Sequence, residues 1–253
     1  DFSLDCFAHR YVHPGTVFKK TVLLNKKRLE KLRSTLTYAP LHNPICFSLI
    51  EFCFHEFPEK RHTVVFDTSF HASIPEVYAT YALPQEMTRH RAYRRVGFHG
   101  ISHEYVTREA CRSLEVPFDR QRIISCHLGS GGSSVCAVQN GRSINSSMGF
   151  TPLEGLLMNT RSGDIDMGLL FQVMFAHKFT PDSAEEMLNK KSGVLGVYKS
   201  SSDLRDVIHQ SAADDIVFQM YVKRVRKYIC YYALLLKKAD LLIFTDTLGL
   251  ELS

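Results

Sequence analysis

No run of apolar residues in the sequence is long enough to cross a bilayer. The longest, Tyr228 to Leu236, ends at Lys237 and Lys238, well short of the roughly 20 residues a spanning helix needs. Asp1 opens the sequence without a basic segment, an apolar segment or a small-residue cleavage site, so no signal peptide is expected. An initiator methionine is missing too, which suggests part of a longer protein. The seven cysteines (Cys6, Cys46, Cys53, Cys111, Cys126, Cys136 and Cys230) form no C-x-x-C pair. Scattered and odd in number, they argue against zinc or redox motifs and fit a reducing cytoplasm. There is no internal repeat, no low-complexity segment and no G-x-x-x-x-G-K-[ST] phosphate loop.

What is present is the makeup of a soluble globular protein. With 45% hydrophobic and 23% charged residues among 253, the chain can bury one substantial core or two smaller ones. Its net charge of +5 is spread over Asn25 to Arg33, Arg89 to Arg95 and Lys223 to Lys227, each mixed with apolar or acidic residues. These read as solvated helix faces, and neither a nucleic acid nor a membrane is expected as a partner.

Lys26 to Leu36 is rich in helix formers, and Asn43 with Pro44 reads as the cap and first position of a helix over Ile45 to Phe57. Thr63 to Phe66 is a short β-branched and aromatic run ending at Asp67, the pattern of a buried strand with a carboxylate at its tip. Arg122 to Cys126 reads as a second strand, followed by a Gly/Ser loop from Leu128 to Ser134 and a strand over Val135 to Val138. Asn140-Gly141 is a strong hairpin signal before Ser143 and Ile144. Asp166 to Phe175 and Asp182 to Asn189 look helical, and Asp215 to Leu236 places Ile216, Met220, Val225, Tyr228, Ile229 and Tyr232 near one helical stripe. Asp240 to Phe244 is a final strand. Strands alternating with helices, plus one antiparallel hairpin, predict an α/β protein with a mixed sheet.

The most informative stretch is His127-Leu-Gly-Ser-Gly-Gly-Ser-Ser134. Its glycines and serines let backbone N–H groups close around a phosphate without side-chain obstruction. A strand follows it, where a dinucleotide fold would require a helix. Standing alone the loop would be an ordinary surface turn. His99 and His103 form H-x-x-x-H, but Gly100 stands where a metalloprotease would need glutamate, so a zinc site is not expected.

The loop has company. Val96-Gly-Phe-His-Gly-Ile-Ser-His103 precedes it, and Met148-Gly-Phe-Thr-Pro-Leu-Glu-Gly155 and Thr160-Arg-Ser-Gly-Asp-Ile-Asp166 follow it. Upstream lie His9-Arg-Tyr-Val-His13, Ala39-Pro-Leu-His-Asn-Pro44 and Val65-Phe-Asp-Thr-Ser-Phe-His71; downstream lie Lys190-Lys-Ser-Gly193 and Ser201-Ser-Asp-Leu-Arg-Asp206. In content and order these segments resemble the acetate kinases of the acetokinase family, within the sugar kinase, Hsp70 and actin superfamily. The resemblance covers nearly the whole chain, but the family's first phosphate loop and its late G-I-G-E-N segment have no counterpart here.

The resemblance implies actin-like (ribonuclease H-like) domains, each a mixed sheet flanked by helices. Residues 1–68 would be the remainder of the first domain and 69–253 most of the second. It implies a cytoplasmic homodimer that reversibly converts ATP and acetate to ADP and acetyl phosphate by direct in-line transfer, with Mg2+ accompanying the nucleotide. The alternatives are a propionate or other short-chain acyl kinase, or a truncated non-catalytic homologue.

By the same resemblance Arg10 and Arg161 would hold the carboxylate and the migrating phosphoryl, anions that suit a guanidinium fork. His99 would hydrogen-bond the transition-state phosphoryl. Asp67 would orient an arginine rather than abstract a proton, since acetate is already ionised near neutral pH. Val12, Leu41, Phe98 and Pro152 match the pocket for the methyl group. His127, Leu128, Gly129, Ser130 and Gly131 match the nucleotide phosphate loop, and Asp203, Leu204 and Arg205 the segment beside adenosine. No metal ligand is assignable. Two departures accompany the match: Ser130 stands in place of the usual asparagine, in a loop one residue longer, and Asn145 in place of aspartate.

Overall fold

The computed structural model describes residues 4–40, 42–88, 93–129, 131–210 and 215–248. Its first part forms β1 (Cys6–Tyr11), β2 (Val22–Leu23), α1 (Lys26–Arg33), α2 (Asn43–Glu56) and β3 (Arg61–Phe66). β3 contains the run Thr63 to Phe66 expected as a strand, and it alternates, with His62, Val64 and Phe66 on the buried face. It pairs in parallel with β1, Arg10 opposite Val65 and Tyr11 opposite Phe66, and antiparallel with β2 on its other side. α1 starts where the Asn25 side chain accepts the Arg28 N–H at 2.9 Å. Leu29, Leu32, Phe47 and Ile50 from α1 and α2 close over Tyr11, Val64 and Phe66 as one core. Burying each of these large side chains contributes roughly 1.5–3 kcal/mol.

The expected cap of α2 is corrected. His42 occupies the cap position, and Asn43 lies inside the helix, fully buried. The Asn43 amide donates to the carbonyls of His13 (2.9 Å) and Thr35 (2.8 Å) and accepts the His13 N–H (3.2 Å). Satisfying these buried backbone groups outweighs a capping role, because an unpaired one carries its full desolvation penalty.

After the single-turn helices α3 (Glu76–Ala79) and α4 (Gln85–Thr88) comes α5 (Gly100–Ser113), then β4 (Arg122–Leu128), β5 (Ser133–Gln139) and β6 (Arg142–Ser146). Asn140 and Gly141 both take positive φ, 52° and 75°, as a two-residue hairpin turn demands. α6 (Met167–His177), α7 (Pro181–Lys190), α8 (Gly193–Tyr198), α9 (Leu204–Gln210) and α10 (Ile216–Leu235) precede β7 (Leu241–Thr245). The second sheet runs β6-β5-β4-β7, antiparallel except for the parallel β4/β7 pair. The main core joins Ile124, Cys126 and Leu128 of β4 to Val217, Tyr221 and Tyr232 of α10. Both sheets are mixed and flanked by helices, the α/β class that the sequence predicts.

Candidate active site

The parallel β1/β3 pair brings Arg10 and Asp67 side by side at one end of the first sheet. The Asp67 N–H donates to the Tyr11 carbonyl at 3.1 Å. Arg10 Nε donates to Asp67 Oδ1 at 3.1 Å and a second guanidinium N–H donates to Oδ2, a forked pair. The carboxylate is 4% exposed and the arginine 59%, and the hydrogen bond to Asp67 raises the Arg10 pKa above its ordinary value.

α5 begins against the backbone of the same aspartate. The Gly100 N–H donates to the Asp67 carbonyl at 2.8 Å, and a Cβ at Gly100 would stand 2.3 Å from that oxygen. Only glycine permits the approach. His99, just before it, takes left-handed backbone geometry (φ 57°), a conformation uncommon outside glycine and telling at a site. His99 Nδ1 is 2.9 Å from Ser134 Oγ, which is also 2.8 Å from His103 Nε2; His103 Nδ1 is 2.9 Å from Ser125 Oγ. The His127 ring lies 4.3 Å from that of His99, with Nδ1 3.0 Å from Ser102 Oγ and Nε2 3.3 Å from Asp246 Oδ2. Burial, then neighbouring charges, holds the pKa values of His99 and His103 well below the usual histidine range, and burial lowers that of His127. These rings are neutral near pH 7.

Arg161 enters from the second sheet's side on a tightly held turn. Met158 N–H donates to the Arg161 carbonyl (3.2 Å), Val194 N–H to that of Met158 (2.9 Å), Ser192 N–H to that of Thr160 (3.1 Å) and Arg224 to that of Ser162 (2.6 Å). Gly193 takes φ 65°, and a Cβ there would lie 2.2 Å from the Met158 carbonyl oxygen. The guanidinium contacts His42 Nε2 (3.5 Å) and Met158 Sδ (3.9 Å), and it makes no ion pair among the described residues. Burial lowers its pKa.

Arg10, Asp67, His99 and Arg161 line a cavity of about 190 Å³ whose apolar wall is Val12, Phe98 and Pro152, with His42, Gly131 and Gly132 completing it. A larger space of about 540 Å³ shares Arg10, Asp67, His99, Gly131 and Gly132 and runs on past Gly129, His127 and Asp246. The structure thus brings together Arg10, Val12, Asp67, Phe98, His99, His127, Gly129, Gly131, Pro152 and Arg161. Leu128 differs, since its side chain is packed in the main core and leaves only backbone for a ligand. Asp203 and Arg205 bind each other, with Arg205 Nη2 donating to Asp203 Oδ2 at 2.6 Å, while Leu204 is buried in the main core. None of the three lines either cavity. Leu41 and Ser130 lie outside the described residues.

Sequence reasoning passed over His42, Gly132, Ser134 and Asp246. Asp246 carries part of the signal that marked Asp67, a carboxylate just past a strand, although that strand is only half-buried. Gly132 is the third glycine of the loop, and a Cβ there would lie 3.4 Å from Arg161 Nη1 and 3.5 Å from His99 Cε1. His42 stands in the quoted Ala39 to Pro44 segment, where the neighbouring asparagine drew the capping role. For Ser134 no sequence signal distinguishes it from the other loop serines.

The chain is 42% identical over 250 residues to the acetate kinase of Heliobacterium modesticaldum, covering 97% of this chain and 63% of that relative. A crystal structure of Porphyromonas gingivalis acetate kinase superposes with a TM-score of 0.90 at 39% identity, covering 97% of this chain and 62% of that one. A propionate kinase from Francisella tularensis superposes with a TM-score of 0.89 at 40% identity, covering 96% and 64%. The chain therefore spans a little under two thirds of the length of these relatives. Residues 2–252 match the acetokinase family, and the chain belongs to that family.

Proposed function

We propose that this chain carries the reacting face of a kinase that transfers a phosphoryl group reversibly between ATP and acetate. The observation that carries the reading is the small cavity, where two arginines and a neutral histidine face an apolar wall within about 190 Å³. That volume suits a two-carbon acid and the group it receives. Val12, Phe98 and Pro152 would pack on the methyl group, and Arg10, held by Asp67, would orient the carboxylate. Arg161 and His99 would donate to the phosphoryl oxygens as charge spreads over them in flight. The larger space beside it would take the nucleotide phosphates over the Gly129 to Gly132 backbone. An attacking carboxylate needs no base, so Asp67 acts through Arg10.

The described residues do not make a protein-held metal site. They contain no cluster of three or more candidate ligands, and the two carboxylates facing the larger space are already engaged, Asp67 by Arg10 and Asp246 by His127. Mg2+ would arrive on the nucleotide phosphates, and no step is assigned to it.

The division at residues 68 and 69 into two actin-like units is supported by the two separate sheets and cores. Self-association is supported by α6, which exposes Met167, Leu169, Phe171 and Phe175, more apolar surface than a lone soluble helix ordinarily shows. No helix among the described residues is long and apolar enough to cross a membrane, which is compatible with a cytoplasmic enzyme.

A second reading, a propionate or other short-chain acyl kinase, is favoured by one feature. An apolar cavity of about 350 Å³ adjoins the small one and shares His42, Pro152 and Arg161 with it. An extra methylene changes binding by only about 1–3 kcal/mol in such a site. ATP-dependent hydroxamate formation from acetate, propionate and butyrate ranks the substrates. Nucleotide binding without any acyl phosphate would instead support a non-catalytic homologue.

A further inference from the structure

A neutral histidine offers a ligand either a donor or an acceptor, depending on which ring nitrogen holds the proton. At two of the histidines near this site a one-way acceptor makes the choice. His71 Nε2 lies 2.8 Å from the Phe98 carbonyl oxygen and must donate, so its Nδ1 accepts from the Ser143 hydroxyl at 2.8 Å. His127 Nε2 faces the Asp246 carboxylate at 3.3 Å, and its Nδ1 accepts from the Ser102 hydroxyl at 3.0 Å. His99 has no such neighbour. It ends a chain of groups that can each work in either direction: Ser125 to His103, His103 to Ser134, Ser134 to His99.

Three proton arrangements make the three bonds. The one in which both rings donate to Ser134 Oγ leaves the hydroxyl hydrogen of that 0% exposed residue without an acceptor among the described residues, so two remain. In one, the Ser125 hydroxyl donates to His103 Nδ1, His103 Nε2–H donates to Ser134 Oγ, and the Ser134 hydroxyl donates to His99 Nδ1. His99 then presents Nε2–H to the cavities. In the other every donor reverses, His99 Nε2 becomes a bare acceptor, and the hydroxyl hydrogen of Ser125 needs a new partner. Ser125 sits in β4 with β5 and β7 on either side, is 0% exposed, and its side chain has His103 as its one hydrogen-bond partner among the described residues. A buried donor without an acceptor bears its whole desolvation penalty, so the reversed arrangement is disfavoured at Ser125.

We infer that Ser125, acting through His103 and Ser134, fixes His99 as the Nε2–H tautomer and so aims a neutral donor into the cavity between Arg10 and Arg161. Ser125, His103 and Ser134 are positioning residues, and Ser125 lies outside the lining of either cavity. The role of that donor, a hydrogen bond to a phosphoryl oxygen, rests on the function proposed above; the proton assignment does not.

Long-range 15N–1H correlation spectra of the histidine rings in the unaltered chain test the assignment directly, with His99→Gln identifying the His99 signals. At pH 7, His99 is expected to show a protonated Nε2 and a bare Nδ1, and His103 the same. A proton on His99 Nδ1, or on both nitrogens, overturns the inference. Ser125→Ala is expected to shift His99 from one tautomer to a mixture, and Ser125→Thr, which keeps the hydroxyl, to restore it. An unchanged His99 in a folded Ser125→Ala chain removes Ser125 from the relay. Should that variant not fold, Ser125→Cys, a weaker donor of similar size, gives the same readout. Titration with inorganic phosphate should move the His99 Nε2–H signal. If the tautomer is as stated but phosphate leaves it unmoved, the phosphoryl-transfer reading fails while the relay stands.

Discussion

The two sides of the small cavity handle positive charge in opposite ways. On the β1/β3 side, Arg10 is forked onto a buried carboxylate and more than half exposed. Its charge is balanced before any ligand arrives. On the other side, Arg161 is half-buried, with an imidazole and a thioether for company. Beside it His99 stays neutral instead of adding charge. A paired arginine is an orienting group whose strength changes little during a reaction. An unpaired, desolvated one gains most when negative charge develops beside it.

Acid should erase this difference, with the largest effect expected. Burial pushes His13 and His71, packed behind the cavity, down to about 4 from 6.5. Above pH 6.5 both folded and unfolded chains hold these rings neutral. Between about 6.5 and 4 the unfolded chain takes up protons that the folded one refuses, so stability falls as pH falls through that window. Each shift corresponds to roughly 3 kcal/mol, and the sum is comparable to the whole stability of many domains. Urea midpoints at pH 7 and pH 4.5 should differ sharply, and His71→Gln should flatten the slope. Equal midpoints would mean that the histidines are not held neutral.

Next in size is loss of the Arg161 charge itself. In a chain extended to the relatives' length, Arg161→Ala should lower turnover by roughly 10²–10³-fold, about 2.7–4 kcal/mol, as for one donor to developing charge. The KM for ATP should change little, because the lost interaction belongs to the transition state. Arg161→Lys should recover only part of the rate, since a point charge cannot reproduce the fork. Near-normal turnover in a folded variant would make the two arginines equivalent. Gly193→Ala moves the charge without removing it. The added methyl meets the Met158 carbonyl at left-handed φ, a strain of about 2–3 kcal/mol. A thermal melt should show the loss, and an unshifted melting temperature would mean that the turn holding Arg161 is soft.

What sequence could reveal follows the same division. β3 and Asp67 were legible because a β-branched run and a terminal carboxylate are local signals. β1 was not read as a strand, because Cys-Phe-Ala-His-Arg-Tyr has no clean alternation and its extended form comes from pairing with β3. α5 escaped for a related reason. Its buried stripe is Gly100, His103, Thr107 and Cys111, correctly spaced for a helix but nearly devoid of aliphatic side chains. The ten residues that meet at the cavities were found through ordered motifs, whereas their mutual geometry, above all the left-handed His99 and an Arg161 without an ion pair among the described residues, depends on contacts between segments far apart in sequence. Asp203 to Arg205 shows the converse, a motif matched in order whose charged pair is turned onto itself.

The smallest expected effect tests the balanced side. Arg10→Ala strands a buried carboxylate, whereas Asp67→Asn strands a cation that water already reaches. Fully buried pairs lose about 3–5 kcal/mol when one partner is removed and exposed pairs about 0–1. This pair is buried at one end only, so the two losses should be unequal: about 2 kcal/mol for Arg10→Ala and about 1 kcal/mol for Asp67→Asn. Added salt should narrow the gap little, because the carboxylate end is shielded from counterions. Urea denaturation of both variants at low and high salt gives the comparison. If Asp67→Asn proves the more damaging, Arg10 depends on its partner as heavily as a buried cation would, and the contrast between the cavity's two sides would have to be abandoned.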